Sequence, residues 1–204
     1  KYNIVLIEDA AESLGSVSKG VHTGRTGAIG TLSFNGNKII TTGGGGALIT
    51  DDEVLARRAK HITTTSKQPH PWLFLHDEVG FNYRLQNINA ALGCGQLEQL
   101  NDYVDAKRVL ALRYKKWFEN CGEAEFFSEP SGARSNYWLN SILLEDRGVR
   151  DQFLQYVNNA GVMVRPIWTP MHSLPMYQNC QRSDLTTAES IESRLVSIPS
   201  SVIK

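Results

Sequence analysis

Four groups near the start of the chain have chemistry beyond folding: the carboxylate of Asp9, the hydroxyl of Ser33, the amine of Lys38, and the four consecutive glycines Gly43 to Gly46. A carboxylate can hold a cation or a proton, an amine can act as nucleophile or base, and a glycine loop can cradle a phosphate. Each also has an ordinary structural role. Asp9 at a strand end can cap a helix, Ser33 can bond the backbone, and Lys38 can be a surface charge. The glycine run leads into a strand instead of opening a helix, which argues against a dinucleotide loop, and a turn with positive φ accounts for it. His22, His61, His70, His76 and His172 lack the short paired spacing of metal ligands, so no metal is expected. Cys94, Cys121 and Cys180 are odd in number and widely spaced. This disfavours a disulfide framework or a zinc site and fits a reducing cytoplasm.

The elements that must position these groups follow from patterning. Residues 1–9 run unbroken and apolar into Glu8-Asp9, which reads as a buried parallel strand. Such a strand needs neighbours on both faces, and the chain starts inside it, so a fragment of a longer protein is expected. Leu32-Ser33-Phe34 and residues 46–50 read as short strands flanking the lysine loop. Asp51 is the expected cap of a helix over 52–61. Residues 63–78, with two prolines and two histidines, read as a long loop. Helices are expected up to about Leu100 and over 102–120, stopped by Gly122, then a strand at 137–144, a helix at 150–159, a strand at 162–165 and a helix at 185–195. The division is expected at 104/105, within the 102–120 helix.

The 204 residues carry 21 Lys and Arg against 21 Asp and Glu, a net charge of zero, so nothing draws the chain to nucleic acid or an anionic membrane. Apolar residues make up 41%, enough for a core, yet no run approaches the roughly 18 residues of a membrane-spanning helix.

The order of the motifs carries more than any one of them. Glu8-Asp9-Ala10-Ala11-Glu12-Ser13-Leu14-Gly15, then Ser33-Phe34-Asn35-Gly36-Asn37-Lys38, then Thr41-Thr42 and the glycines, resemble the cofactor half-site of the DegT-type, pyridoxal-phosphate-dependent sugar aminotransferases. Gly80-Phe81-Asn82-Tyr83-Arg84-Leu85 followed by Asn89-Ala90-Ala91-Leu92-Gly93 is similar to a third family block, and Arg165-Pro166-Ile167-Trp168 and Ile198-Pro199-Ser200 extend the likeness. The resemblance spans the chain but only the later part of the family's length. It implies an α/β fold: the later portion of a fold-type-I large domain over 1–104 and a small α+β C-terminal domain over 105–204. Residues 33–46, 60–72 and 135–140 resemble the 4-aminotransferases of the legionaminic-acid and bacillosamine type. The implied reaction moves an amino group, from glutamate, to the 4-keto group of a UDP-linked 4-keto-6-deoxy-N-acetylhexosamine in bacterial surface-sugar biosynthesis. The implied parent is a cytoplasmic homodimer.

The resemblance also implies roles. Lys38 forms the resting Schiff base with pyridoxal phosphate and then moves a proton, and its ordinary pKa of ~10.4 requires a site that favours the neutral amine during transfer. Asp9 keeps the ring nitrogen protonated. Ser33 donates to the cofactor phosphate. Glu12, about one helical turn after Asp9, stands where relatives carry Gln or His against the ring oxygen, and is either a neutral acid there or a solvated residue. Asn82 reaches a partner's cofactor phosphate, or is a turn residue. Arg84 binds substrate diphosphate, or forms a structural ion pair. Trp138 and Trp168 are expected in the core or at an interface. Without the family's earlier part, the fragment is expected to be inactive alone. A sugar dehydratase on the same fold, with histidine for the lysine, and a non-catalytic cofactor-sensing or dimerisation module are the alternatives.

Overall fold

A computed structural model describes residues 2–202; Lys1, the first residue of the expected opening strand, and the last two residues lie outside the described span. In chain order the strands and helices are β1 (Ile7–Asp9), β2 (Val17–Ser18), β3 (Val21–His22), β4 (Ile29–Ser33), β5 (Gly46–Ile49), α1 (Glu53–Thr63), α2 (Asn87–Leu97), α3 (Leu100–Phe118), β6 (Ala124–Phe126), β7 (Ala133–Arg134), β8 (Asn140–Leu144), α4 (Arg147–Asn159), β9 (Arg165–Pro166), α5 (Thr186–Arg194) and β10 (Leu195–Ile198). The fold is mixed α/β, and the chain divides into two units. The first comprises 1–105 and 130–138, the second 106–129 and 139–204. Residues 130–138 lie beyond the expected boundary and are part of the first unit.

In the first unit β4 is central, parallel to β1 and antiparallel to β5. Asp9 is opposite Thr31 and Ser33 is opposite Gly46. Because side chains alternate along a strand, Asp9, Thr31 and Ser33 share one face of this sheet, and Glu8 and Gly30 share the other. A second sheet has the order β3, β2, β7. The core is Phe34, Ile39, Ile40 and Val104, with Leu14, Leu32, Ala47, Leu100, Tyr103 and Trp138 packed on it.

The second unit is built on an antiparallel sheet in the order β6, β8, β10, β9. Period-2 burial along β8 puts Asn140, Ile142 and Leu144 inward, with Asn140 and Ile142 opposite Ile198 and Val196 of β10. Asp146 caps α4 by accepting a hydrogen bond from the Val149 N–H at 2.9 Å, so that helix starts three residues before the expected Arg150.

Several expectations need correction. The opening strand is short, and the residues before it are open to solvent, Ile4 at 81% and Val5 at 70% exposure, because the backbone of β1 pairs with β4 alone among the described residues. Asp52, not Asp51, caps α1, accepting from the Val54 and Leu55 N–H groups at 2.7 and 3.1 Å, while Asp51 pairs with Arg25. The long loop is tied by backbone bridges between Thr64 and Asn82 and between Lys67 and His76. Leu195 begins β10 instead of ending a helix. Glu12 follows Asp9 in a turn rather than a helix, with the Ser13 N–H donating to the Ala10 carbonyl at 3.1 Å.

On the face away from Asp9, the Glu8 carboxylate accepts from the backbone N–H groups of Gly24 at 2.9 Å and of Thr26 and Gly27 at 2.5 Å. These bonds hold its pKa below the ordinary 4.5. A depressed carboxylate contributes stability above its unfolded pKa and loses it as pH falls through the folded value. Glu8→Gln is therefore expected to lower the melting temperature most at neutral pH. The gap to the parent sequence should begin to close as pH falls below about 4.5, the unfolded value, and should vanish only below the depressed folded value, where the parent's carboxyl is also neutral. Thermal melts of both proteins from pH 7 to pH 3 check this; a gap constant across that range would show that Glu8 acts by packing alone.

Candidate active site

Lys38 is anchored by its neighbours in sequence. The exposed turn Asn35-Gly36-Asn37 precedes it and the buried Ile39 and Ile40 follow, so the backbone is pinned on one side of the lysine. The Lys38 N–H donates to the Asn35 carbonyl at 3.1 Å, closing the turn, and the Ser33 hydroxyl accepts from the Asn35 N–H at 3.3 Å. On the far side of the loop, the Phe34 N–H donates to Gly45 at 2.9 Å and the Thr42 N–H to Phe34 at 3.0 Å. Gly43 and Gly45 have φ of +79° and +94°, the conformation expected of the glycine turn. The Asn89 side chain donates to the Thr42 carbonyl at 2.5 Å and Gln96 accepts from the Thr41 N–H at 3.2 Å, so α2 holds the same loop from outside.

The amine of Lys38 is an ion-pair partner of Glu12, Nζ to Oε1 at 3.1 Å. The lysine side chain is 13% exposed and that of Glu12 is 52% exposed, so one partner is shielded and the other is solvated. Lys38 Nζ also lies 4.3 Å from the ring centroid of Trp138, close enough for a cation–π contact. The Trp138 indole N–H donates to the carbonyl of Asn37, the residue before the lysine, at 2.5 Å. Trp138, expected to be a core or interface residue, thus touches the candidate lysine; no local pattern in the sequence joins positions 38 and 138.

Asp9 is exposed at the end of β1. Its Oδ1 accepts from the Ala11 N–H at 3.1 Å and from the Thr31 hydroxyl at 3.4 Å, which fixes the carboxylate against the sheet face that carries Ser33. Asp9 therefore caps a turn, not a helix. Among the described residues, no hydrogen bond or ion pair joins Asn82 or Arg84 to Lys38, Glu12, Asp9 or Ser33, and both side chains are exposed. Asn82 meets Thr64 through its backbone.

A separate charged cluster lies where α1 meets the long loop. Arg58 pairs with Glu78, and His61 Nε2 is 2.7 Å from Asp77 and 3.5 Å from Glu78. The Arg58 guanidinium holds the Glu78 carboxyl below its ordinary pKa, and the His61 hydrogen bond does the same for Asp77. Ligand atoms of His61, Asp77 and Glu78 converge within 4.8 Å, although the histidine and the acids stand 16 or more residues apart in sequence. Arg58 already supplies the cation there.

The groups present fit pyridoxal phosphate by their chemistry. A shielded amine, a carboxylate with backbone and hydroxyl support, and a strand-end hydroxyl supply the three functions that this cofactor's aldehyde, ring nitrogen and phosphate require.

A family model described as the DegT/DnrJ/EryC1/StrS aminotransferase family matches residues 1–202. The chain is similar to EpsN of Bacillus subtilis strain 168, a protein assigned to the pyridoxal phosphate-dependent aminotransferases, at 39% identity over 86% of this chain and 45% of that protein. It is similar to GDP-perosamine synthase of Escherichia coli O157:H7 at 37% identity over 97% of this chain and 53% of that enzyme. Among solved structures, the aminotransferase TlmJ of Streptoalloteichus hindustanus superposes with a TM-score of 0.89 at 26% identity, covering 96% of this chain and 53% of its own. The chain spans about half the length of the curated relatives it matches.

Proposed function

This chain belongs to the DegT/DnrJ/EryC1/StrS aminotransferase family, and from that membership we propose that the whole protein aminates a nucleotide-linked keto sugar with pyridoxal phosphate as cofactor. The observation that carries the reading is the pairing of a shielded lysine with a carboxylate on a loop beside the sheet face of Asp9 and Ser33. When bound, the cofactor supplies an electron sink that lets an amino group be exchanged for a carbonyl oxygen. Lys38 would hold it covalently, Asp9 would face its ring nitrogen, Ser33 would donate to its phosphate and Glu12 would face its ring oxygen.

With that arrangement, Lys38 Nζ is the base that moves a proton at the amine-bearing carbon. Glu12 holds the freed amine in reach, because the two are already within ion-pair distance. Asp9 is oriented for this role by the Ala11 N–H and the Thr31 hydroxyl, which donate to it, and a carboxylate opposite a protonated nitrogen is a charge-assisted pair. The balance is one amino group gained by the sugar at C4 against one lost by glutamate, which leaves as the 2-oxo acid.

The finer reading takes 1–104 as the later portion of the cofactor-binding domain and 105–204 as the small C-terminal domain, apart from residues 130–138, which belong with the first unit. In a cytoplasmic homodimer, Asn82 would reach a partner's cofactor phosphate and Arg84 the substrate diphosphate; the exposure of both side chains is consistent with these roles. The free thiols of Cys94, Cys121 and Cys180 suit that compartment. The substrate is a UDP-linked 4-keto-6-deoxy-N-acetylhexosamine, a reading supported by the sequence of residues 33–46 and 135–140. A lysine at position 38 argues against a dehydratase.

The relative named GDP-perosamine synthase makes GDP the competing nucleotide. Incubating the whole protein with glutamate and either the UDP- or the GDP-linked 4-keto sugar separates the two. Amination confined to the UDP sugar is the expected result. Preference for the GDP sugar would overturn the nucleotide. No product from either, with no visible absorption when pyridoxal phosphate is added, would make the protein a non-catalytic module.

A further inference from the structure

Residues 135–138 are built as a polar latch, not as a simple connector. Asn136 is buried, and its side-chain amide donates to the backbone carbonyls of Glu12 and Leu14 at 2.9 and 3.0 Å. Its own N–H donates to the Ser16 hydroxyl at 2.9 Å, and its side-chain oxygen accepts from the Trp138 N–H at 2.9 Å. Between them Tyr137 has φ of +45°, a conformation that costs an L residue roughly 1 kcal/mol or more and persists where the surroundings hold it. Here Ser135 accepts from the Tyr137 N–H at 3.0 Å, and the two flanking side chains are fixed.

The result is a closed circuit. Asn136 fixes the backbone of Glu12, the Glu12 carboxylate binds Lys38 Nζ at 3.1 Å, Trp138 covers that amine with its ring, and the indole N–H ties the residue before the lysine. We infer that Asn136 and Trp138 are positioning residues that set where the Lys38 amine points and keep it against Glu12. Packing alone would account for a half-buried ring. It does not call for an indole N–H on the Asn37 carbonyl together with a ring face under the ammonium. The inference rests on Lys38 being the cofactor lysine for its importance to the reaction, but the latch itself is a property of the cofactor-free protein and can be read there.

The test is competitive labelling of the full-length, cofactor-free protein with an amine-reactive ester, with Lys38 quantified by mass spectrometry against Lys19. Trp138→Leu removes both ring face and N–H, and Lys38 labelling relative to Lys19 is expected to rise about threefold to tenfold, the range of a lost cation–π contact. Trp138→Phe keeps a ring face and should restore part of the protection, which also covers the case in which the leucine variant does not fold. In the loaded enzyme, the phenylalanine variant should lower kcat with KM for the sugar nearly unchanged, since the indole N–H that it removes bonds the residue before the lysine. Unchanged relative labelling of Lys38 in a folded variant would overturn the latch. Borohydride trapping of the cofactor on a different lysine of the parent protein would instead overturn the reading of Lys38, while the labelling result would still decide whether the latch exists.

Discussion

If the proposed function holds, Lys38→Ala is expected to remove amination of the keto sugar by the whole protein, by about a thousandfold or more, because one side chain would serve as both the covalent anchor and the base. The fold should survive the change. Lys38 packs between a solvent-exposed turn and the core residues Ile39 and Ile40, which the substitution leaves in place. The Glu12 carboxylate it releases is half exposed and keeps water as a partner, so a pair of this kind contributes at most about 1 kcal/mol. Circular dichroism should match the parent, and borohydride reduction followed by peptide mapping should find the pyridoxyl group on Lys38 in the parent and on no lysine in the variant. Substantial turnover by the alanine variant would end the assignment.

Asp9→Asn is the second large effect, and it separates charge from shape. Asparagine offers the same oxygen to the Ala11 N–H and the Thr31 hydroxyl, now at 3.1 and 3.4 Å, so the turn after β1 should persist. What would be lost is the negative charge proposed to keep a proton on the cofactor's ring nitrogen. A neutral amide forms a weaker bond to a cation than a carboxylate does, and the electron sink should lose about a hundredfold in kcat. Cofactor affinity should change far less, because the proposed covalent bond to Lys38 and phosphate contact would remain. A titration of cofactor binding beside steady-state kinetics distinguishes the two quantities. Affinity falling as far as turnover would mean that Asp9 holds the cofactor in place without tuning it.

Local signals in the sequence reach the lysine loop well. A hydroxyl at the end of one strand, a lysine before two isoleucines and a glycine turn before the next strand describe a strand, loop and strand, and β4 and β5 flank that loop. Period-2 alternation likewise marks β8. Two-residue strands such as β2, β3 and β7 carry too few residues for any period, and β6 is nearly as short. Cap identity failed at α1 because Asp51 and Asp52 are chemically the same; only the pairing of Asp51 with Arg25, a tertiary contact, assigns the cap to the second aspartate. The pairing of Lys38 with Glu12 is also invisible in one dimension: their separation of 26 residues matches no helical or strand period. Trp138 lies farther still from local inference, since an aromatic in an apolar stretch ordinarily reads as packing.

The return of residues 130–138 to the first unit has a consequence for the order in which the protein is made. Synthesis delivers Asp9, Ser33 and Lys38 before Asn136 and Trp138, and the Trp138 indole bonds a carbonyl 101 residues upstream while the Asn136 amide reaches 124 residues back to Glu12. Contacts of that separation close large loops and form late in folding. A nascent chain that has emerged through residue 105 can pair β4 with β5, but its lysine still lacks the Trp138 ring. The ring that covers the amine arrives only after residues 106–129 of the second unit have been made, so the order of synthesis sets when Lys38 acquires its shielded setting.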